Sequence, residues 1–316
     1  MKFRTTGLLI ITALSAYVVY NCSGNQAELQ KINKDQEKIE LGKRLFFDKR
    51  LSSDNTVSCA SCHNPDRAFS DGKVLGTGVK GRMTFRNVPG LLNVKYLKKL
   101  MFDAELTSLE RQILVPLLDH AEMNADLPVL FRKLRKDSYY VTAAKRIFNR
   151  PFDSYVLTRS IAAYERSLIA MNSRYDQFLK GNKNALTLNE IKGMQLFTKE
   201  LYCTKCHELP NFTSFKAENN GLYTDYGSDQ GRFRVTGLES DKGKFKVPGL
   251  RNVELTAPYM HDGSFATLLE VIRHYESGGK DHPNKSAVIQ PFNLTSEEEQ
   301  NLVLFLKTLT DTIVRK

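Results

Sequence analysis

Two related, mostly α-helical domains in tandem are the fold class this sequence predicts, and three observations predict it. The pentad C-x-x-C-H occurs twice, as Cys59-Ala60-Ser61-Cys62-His63 and as Cys203-Thr204-Lys205-Cys206-His207. Each copy follows a similar lead-in, a helix-like run ending in Leu-Phe and then a short link. Thus "LGKRLFFDKRLSSDNTVSCASCHNP" (41–65) is echoed by "IKGMQLFTKELYCTKCHELP" (191–210). Helical spacing of apolar residues is frequent along the chain, and strand signals are sparse.

The N-terminus carries Lys2 and Arg4 ahead of a mostly apolar run over residues 7–20, the layout of an export signal and short for a membrane span. Residues 1–22 are therefore assigned to a signal. Cys22 stands where a lipoprotein signal would be cut and acylated, although the preceding "VYN" departs from the usual small-residue pattern. Acylation, ordinary cleavage nearby and an uncleaved anchor stay open. Residues 23–38 are polar and read as a tether. A first domain over 39–178 and a second over 179–316 follow, divided where "GNKNALT" breaks the helical pattern. "SYVLTRSIAAYERSLIAM" (154–171) has helical periodicity, and Thr187 with Glu190, Thr267 with Glu270 and Thr295 with Glu298 form S/T-x-x-E helix starts. "RNVPGLLN" (86–93) is weakly echoed by "VPGLRNVELTAP" (247–258).

The 316 residues, 41% hydrophobic and 26% charged, suit soluble globular domains. The net charge of +11 comes without a Lys/Arg run or a basic stripe with interleaved aromatics, so no nucleic-acid partner is expected. Five cysteines are present; four lie in the pentads, which leaves Cys22 and no pair for a disulfide outside them. A disulfide or redox dithiol competes as a reading of C-x-x-C in an exported protein, but the immediate His after each pair argues against it.

C-x-x-C-H is the attachment signature of c-type haem. The thiols of Cys59 and Cys62, and of Cys203 and Cys206, would add to the vinyl groups of two porphyrins. His63 and His207 would then be the proximal iron ligands. Function depends on the sixth positions: an iron with two strong protein ligands transfers electrons, and an open one binds a small molecule.

"CASCHNPDRAFSDG", "RNVPGLLN", "LERQILVPLLDHAEMN" and "VPGLRNVELTAPYMHDGSFATLLEVIRHYESGG" occur in that order, and together they resemble the bacterial di-haem cytochrome c peroxidase family with its MauG-like branch. The resemblance spans about residues 38 to 312. It implies two cytochrome c-like haem domains, a peroxide-reducing N-terminal haem and a C-terminal haem that stores or relays electrons. Residue by residue, it places Gln112, Pro116 and Glu122 in the distal pocket of the first haem. A carboxylate there suits peroxide chemistry, which needs a proton taken from one oxygen and returned to the other.

Three departures accompany the resemblance. The family's peroxidases usually carry a capping His sixteen residues after the first pentad; here that position is Val79, and His120 is the nearest substitute. The first haem is therefore expected to be open at rest. Fourteen residues after His261 the usual Met is replaced by Tyr275, as in the MauG branch, so Tyr275 is the expected ligand of the second haem, with His274 and Met260 as alternatives. Such ligation implies a lower potential than a thioether would give. The chain has no tryptophan, and Phe102 stands where the family places one between the haems.

The resemblance further implies a calcium ion at Asn87, Thr256 and Pro258, with Arg251 and His261 near haem propionates. The expected enzyme reduces hydrogen peroxide with electrons from a small redox protein, a cytochrome c or a cupredoxin, or from a protein side chain that it modifies. A non-catalytic di-haem carrier and a peroxide sensor are the contrasting classes. The expected location is the periplasm, with membrane attachment only if Cys22 is acylated, and a homodimer is left open.

Overall fold

The computed structural model describes Glu28 and residues 31–311; the expected export signal over 1–22, with Cys22, lies outside the described residues. The first half contains α1 (residues 31–46), α2 (Cys59–Cys62), α3 (Leu109–Gln112), α4 (Leu114–Leu118), α5 (Leu127–Leu134), α6 (Ser138–Phe148) and α7 (Ser154–Ser167). The second contains α8 (Arg174–Leu179), α9 (Leu188–Gln195), α10 (Phe233–Thr236), α11 (Leu268–Glu276) and α12 (Ser296–Lys307). Among the described residues, regular strand is confined to β1 (Ala217–Glu218) and β2 (Phe245–Lys246), paired antiparallel. The mostly helical expectation is met.

One helix crossing is used in both halves. A Cβ on Gly42 of α1 would fall on the carbonyl of Ser160 and lie 3.0 Å from Tyr164 Cβ, both on α7. A Cβ on Gly193 of α9 would fall on the carbonyl of Asn301 and lie 2.9 Å from Phe305 Cβ, both on α12. Only glycine lets the two backbones approach so closely. Around the first crossing Leu41, Leu45, Phe46, Leu157 and Ile161 are fully buried; around the second, Phe197, Leu302, Phe305 and Phe212 form a separate cluster. All three sequence-assigned capping boxes form, at Thr187, Thr267 and Thr295.

Each half closes on an asparagine in the left-handed region, Asn93 (φ 64°) and Asn252 (φ 63°), a conformation that Asn tolerates better than most residues. The amide N–H of Asn93 donates to Leu168 O (2.8 Å), and its side chain exchanges bonds with the backbone of Ala170 (2.8 and 2.9 Å). Asn252 repeats this with Leu309 O (3.1 Å) and the Asp311 N–H (2.9 Å). These bonds claim backbone groups that a longer helix would use, so α7 ends at Ser167 rather than continuing to 171.

Two boundaries move. The expected tether over 23–38 is, from residue 31, the first turns of α1, held by pairs such as Arg146 with Glu37 (2.9 Å). The expected first domain ran to 178, yet α8 packs on the second core. Tyr175 belongs to that cluster and donates its N–H to Thr308 O (3.2 Å), and Asp176 pairs with Arg251 (2.8 Å). The break in composition at 181–187 marks a loop inside the second half.

Charged residues knit the halves together. Arg86 grips both oxygens of Asp229 (2.7 Å each) and reaches Asp103 (3.2 Å), to which Arg234 also donates (2.6 Å). Asp103 is fully buried, and two guanidinium partners are what such a charge requires. Asn87 N–H donates to His261 O (2.8 Å), and Lys246 N–H donates to Phe102 O (2.5 Å). Gly42→Ala or Gly193→Ala should cost about 1–3 kcal/mol or more through overpacking. Denaturant titration of the haem-loaded protein measures this; an unchanged midpoint would contradict the crossing's role.

Candidate active site

The two pentads are presented alike. The first begins on the short α2, whose start is closed by Ser58 and Ser61, and His63 follows at its end. His63 Nδ1 lies 2.8 Å from Phe69 O, and His207 Nδ1 lies 2.9 Å from Phe212 O. A carbonyl can only accept, so each Nδ1 carries the proton and each Nε2 keeps its lone pair for a metal. Burial lowers both imidazole pKa values, with carbonyls of Phe69 and Pro89, or of Phe212 and Pro248, acting the other way. Phe46 and Phe197 sit against the two rings at 6.4 and 6.3 Å between centroids. The four thiols are free, and burial raises their pKa values, Cys62 to about 11 and Cys203 to about 12. Two thiols beside an imidazole locked with Nε2 available form the donor set that covalent haem attachment requires.

Beside the first pentad the chain gathers Val79, Pro116 and Glu122. Val79 is fully buried, and its N–H donates to Glu122 O (2.8 Å); a Cβ on the preceding Gly78 would strike the Ala121 and Glu122 carbonyls. Pro116, inside α4, accepts from Met123 N–H (3.1 Å), and Gln112 closes α3 just before it. Burial pushes the Glu122 carboxyl up to about 7, with Asp119 adding to the rise, and the Glu122 charge in turn raises the Cys59 and Cys62 thiols. Val79 offers no ligating atom. The His120 side chain is 81% exposed and turned to Asp119, so it is no substitute.

Beside the second pentad lies Tyr275 on α11. Burial raises its pKa, a hydrogen bond from the Asn220 side chain opposes the rise, and the Cys206 and Cys203 thiols add to it. Asn220 also occupies both alternative ligands: its carbonyl lies 3.0 Å from His274 Nε2, and its Nδ2 donates to Met260 Sδ (3.4 Å). Asn220 has no motif around it, and no local pattern marks it.

The Arg251 guanidinium donates to both oxygens of Asp176 (2.8 and 2.9 Å) and to Pro210 O (2.9 Å). Lys246 is a half-buried cation that no motif marks. Burial lowers its pKa to about 8, its charge acts on His207, and no ion pair meets its ammonium among the described residues. An unpaired ammonium there fits a haem carboxylate. His261 is buried, stacked on Phe245 (3.8 Å) with Nε2 3.9 Å from Asp229. Phe102 lies at the seam through its bond to Lys246. Asn87 donates its side-chain amide to Lys73 O and Val74 O (2.8 and 3.2 Å), which leaves Oδ1 without a hydrogen bond among the described residues. Thr256 spends its hydroxyl on Val253 O (3.1 Å), and Pro258 follows a cis peptide in the same loop.

A family model described as di-haem cytochrome c peroxidase matches residues 36–184. The methylamine utilization protein MauG of Methylorubrum extorquens is 32% identical over 275 residues, 86% of this chain and 78% of the relative. The cytochrome-c peroxidase IdrP1 of a Pseudomonas species is 34% identical over 309 residues, 87% of this chain and 81% of the relative. A solved structure of a MauG-like protein associated with microbial copper homeostasis superposes with a TM-score of 0.83 at 36% identity, covering 88% of this chain and 90% of that one. Replacing both Cys203 and Cys206 by Ala should halve the covalent haem per chain, read by pyridine haemochrome and intact mass; retention of both haems would contradict the assignment.

Proposed function

As a member of the di-haem cytochrome c peroxidase family, the chain is a peroxidase-type oxidoreductase, and we propose that it reduces hydrogen peroxide at the His63 centre with electrons relayed through the His207 centre. The observation that carries this reading is the half-buried Glu122, whose carbonyl accepts from the Val79 N–H: a proton-transfer group beside a residue whose side chain offers no ligating atom. A haem held by His63 would supply the Lewis acid and the electrons that peroxide cleavage needs.

The chain's own residues manage the protons. With a pKa of about 7, the Glu122 carboxylate takes a proton from the oxygen that binds and returns it to the oxygen that leaves as water. Two electrons and two further protons complete the reduction of peroxide to two waters. Gln112 offers an amide to orient the substrate, and Pro116 shapes the wall. At the second centre Tyr275, held by Asn220, would ligate the haem iron, and a phenolate there would favour its oxidised state. Lys246 and His261 are assigned to haem carboxylates. Asn87 Oδ1 with oxygens of Thr256 and Pro258 is assigned to a calcium ion at the seam.

The reductant is proposed to be a small redox protein, a cytochrome c or a cupredoxin. Similarity to MauG together with Tyr275 favours a second reading, in which a side chain of a partner protein is oxidised instead. Residues 1–22 support a periplasmic location. Glu122→Gln should slow the reaction of the diferric protein with peroxide by about 10²–10⁴-fold. The unsubstituted protein should react faster as pH rises through about 7, because only the carboxylate accepts a proton. Stopped-flow absorbance tests both; a variant as fast as its parent would contradict the role.

A further inference from the structure

We propose that Tyr223, with Asp262 as its proton acceptor, is a redox-active exit through which oxidising equivalents leave the haems toward the protein surface. The inference rests on the peroxidase reading above and deepens it.

Removing an electron from a tyrosine makes its phenol strongly acidic, so a tyrosine that is to be oxidised reversibly needs a base already in place. Among the described residues, two tyrosine hydroxyls donate to a carboxylate: Tyr140 to Asp48 and Tyr223 to Asp262, each at 2.6 Å. That length is typical of a charge-assisted O–H···O⁻ bond.

Their surroundings separate the two. Asp48 also carries the Arg50 fork (2.7 and 3.0 Å), and guanidiniums of Arg44 and Arg50 lie 5.6 and 5.4 Å from the Tyr140 ring. Cations that close oppose loss of an electron from the ring. Tyr140 is also fully buried and stacked on Phe152 (5.3 Å) in the first core. Tyr223 has one cation nearby, Lys280 at 5.5 Å, and it is half-buried, followed by exposed Thr224 and Asp225.

Tyr223 is also the outer end of an aromatic array that starts at the seam. Lys246 bonds the Phe102 carbonyl, and the preceding Phe245 stacks on His261 at 3.8 Å. Tyr226 packs on Phe245 (5.7 Å) and His261 (6.1 Å), and Tyr223 on Tyr226 (5.7 Å) and His261 (6.4 Å). Tyr226 donates its hydroxyl to the amide oxygen of Asn219 (3.0 Å), which is not a base, so the array has its proton acceptor at the Tyr223 end. Asp262 is available as carboxylate: burial acts against ionisation, but hydrogen bonds from Tyr223 and Ser264 and the nearby His261 hold its pKa below the usual value.

In the step, the Tyr223 O–H bond breaks. One electron passes to the peroxide-oxidised haem centre, reducing it by one equivalent, and the proton forms a bond to Asp262 Oδ2. A neutral phenoxyl radical remains beside a neutral carboxylic acid. A one-electron donor at the surface then reduces the radical, and the proton returns.

The test is rapid-freeze EPR and optical spectroscopy of the diferric, haem-loaded protein mixed with hydrogen peroxide. The parent should give a tyrosyl radical as the oxidised-haem absorbance decays. Tyr223→Phe should abolish that radical and lengthen the decay by about tenfold. Asp262→Asn should suppress the radical in the same way, and Tyr140→Phe should leave it intact. A radical and decay unchanged in Tyr223→Phe, or a radical lost instead in Tyr140→Phe, would overturn the proposal while leaving the peroxidase reading standing. Haem absorbance that does not respond to peroxide at all would sink the peroxidase reading and this inference with it.

Discussion

Both halves of the molecule depend on one contact, a helix pressed onto another where glycine leaves room for a carbonyl. At Gly42 the partner is Ser160 of α7, and at Gly193 it is Asn301 of α12. Four residues beyond each glycine's helix position come Phe46 and Phe197, which lean on the rings of His63 and His207. Behind them, Phe46 meets Phe69 (6.1 Å) and Phe197 meets Phe212 (5.9 Å), and it is the carbonyls of Phe69 and Phe212 that fix the imidazole tautomers. The crossing thus sets, through two aromatic residues, the orientation of the side chain that is to hold iron. A small displacement of either helix would be felt at the metal, because packed interiors transmit strain rather than absorb it.

The repetition extends to the seam, where the two copies have taken different duties. Leu100 bridges to Leu106 and Tyr259 to Phe265, so Met101-Phe102-Asp103 and Met260-His261-Asp262 occupy equivalent turns, with Met101 and Met260 both at positive φ. In the first turn Asp103 is buried under Arg86 and Arg234 and joins the halves; in the second Asp262 faces a tyrosine hydroxyl. Phe102 lies opposite the backbone of Lys246, and the aromatic array running from Phe245 outward occupies the same side of the molecule. The fold therefore supplies two copies of one loop, and side-chain chemistry decides that one copy is structural glue and the other a proton acceptor.

Much of this was legible in the residues. The pentads, the Leu-Phe lead-ins and the capping boxes at Thr187, Thr267 and Thr295 carry local rules that tertiary context did not override. Glu122 was singled out by its spacing to Gln112 and Pro116, and its neighbour Met123 does bond to Pro116. Features set by contacts between distant residues were not. The pairing of Arg251 with Asp176, seventy-five positions away in sequence, has no local signal. Lys246 and Asn220 belong to no motif, and their importance lies in what they touch or fail to touch. The domain boundary was misplaced because "GNKNALT" is a genuine break, but one that separates α8 from α9 within the second half rather than the halves from each other.

In the proposed function the first centre stands open for peroxide while the second is closed by a protein ligand. Val79 and the solvent-facing His120 argue for the first part, and Tyr275 beside the second pentad for the other. The most direct measurement is the EPR spectrum of the untreated diferric protein with both haems loaded. One high-spin and one low-spin ferric signal are expected. Two low-spin signals would contradict that reading, because a protein ligand would then cap the His63 centre at rest.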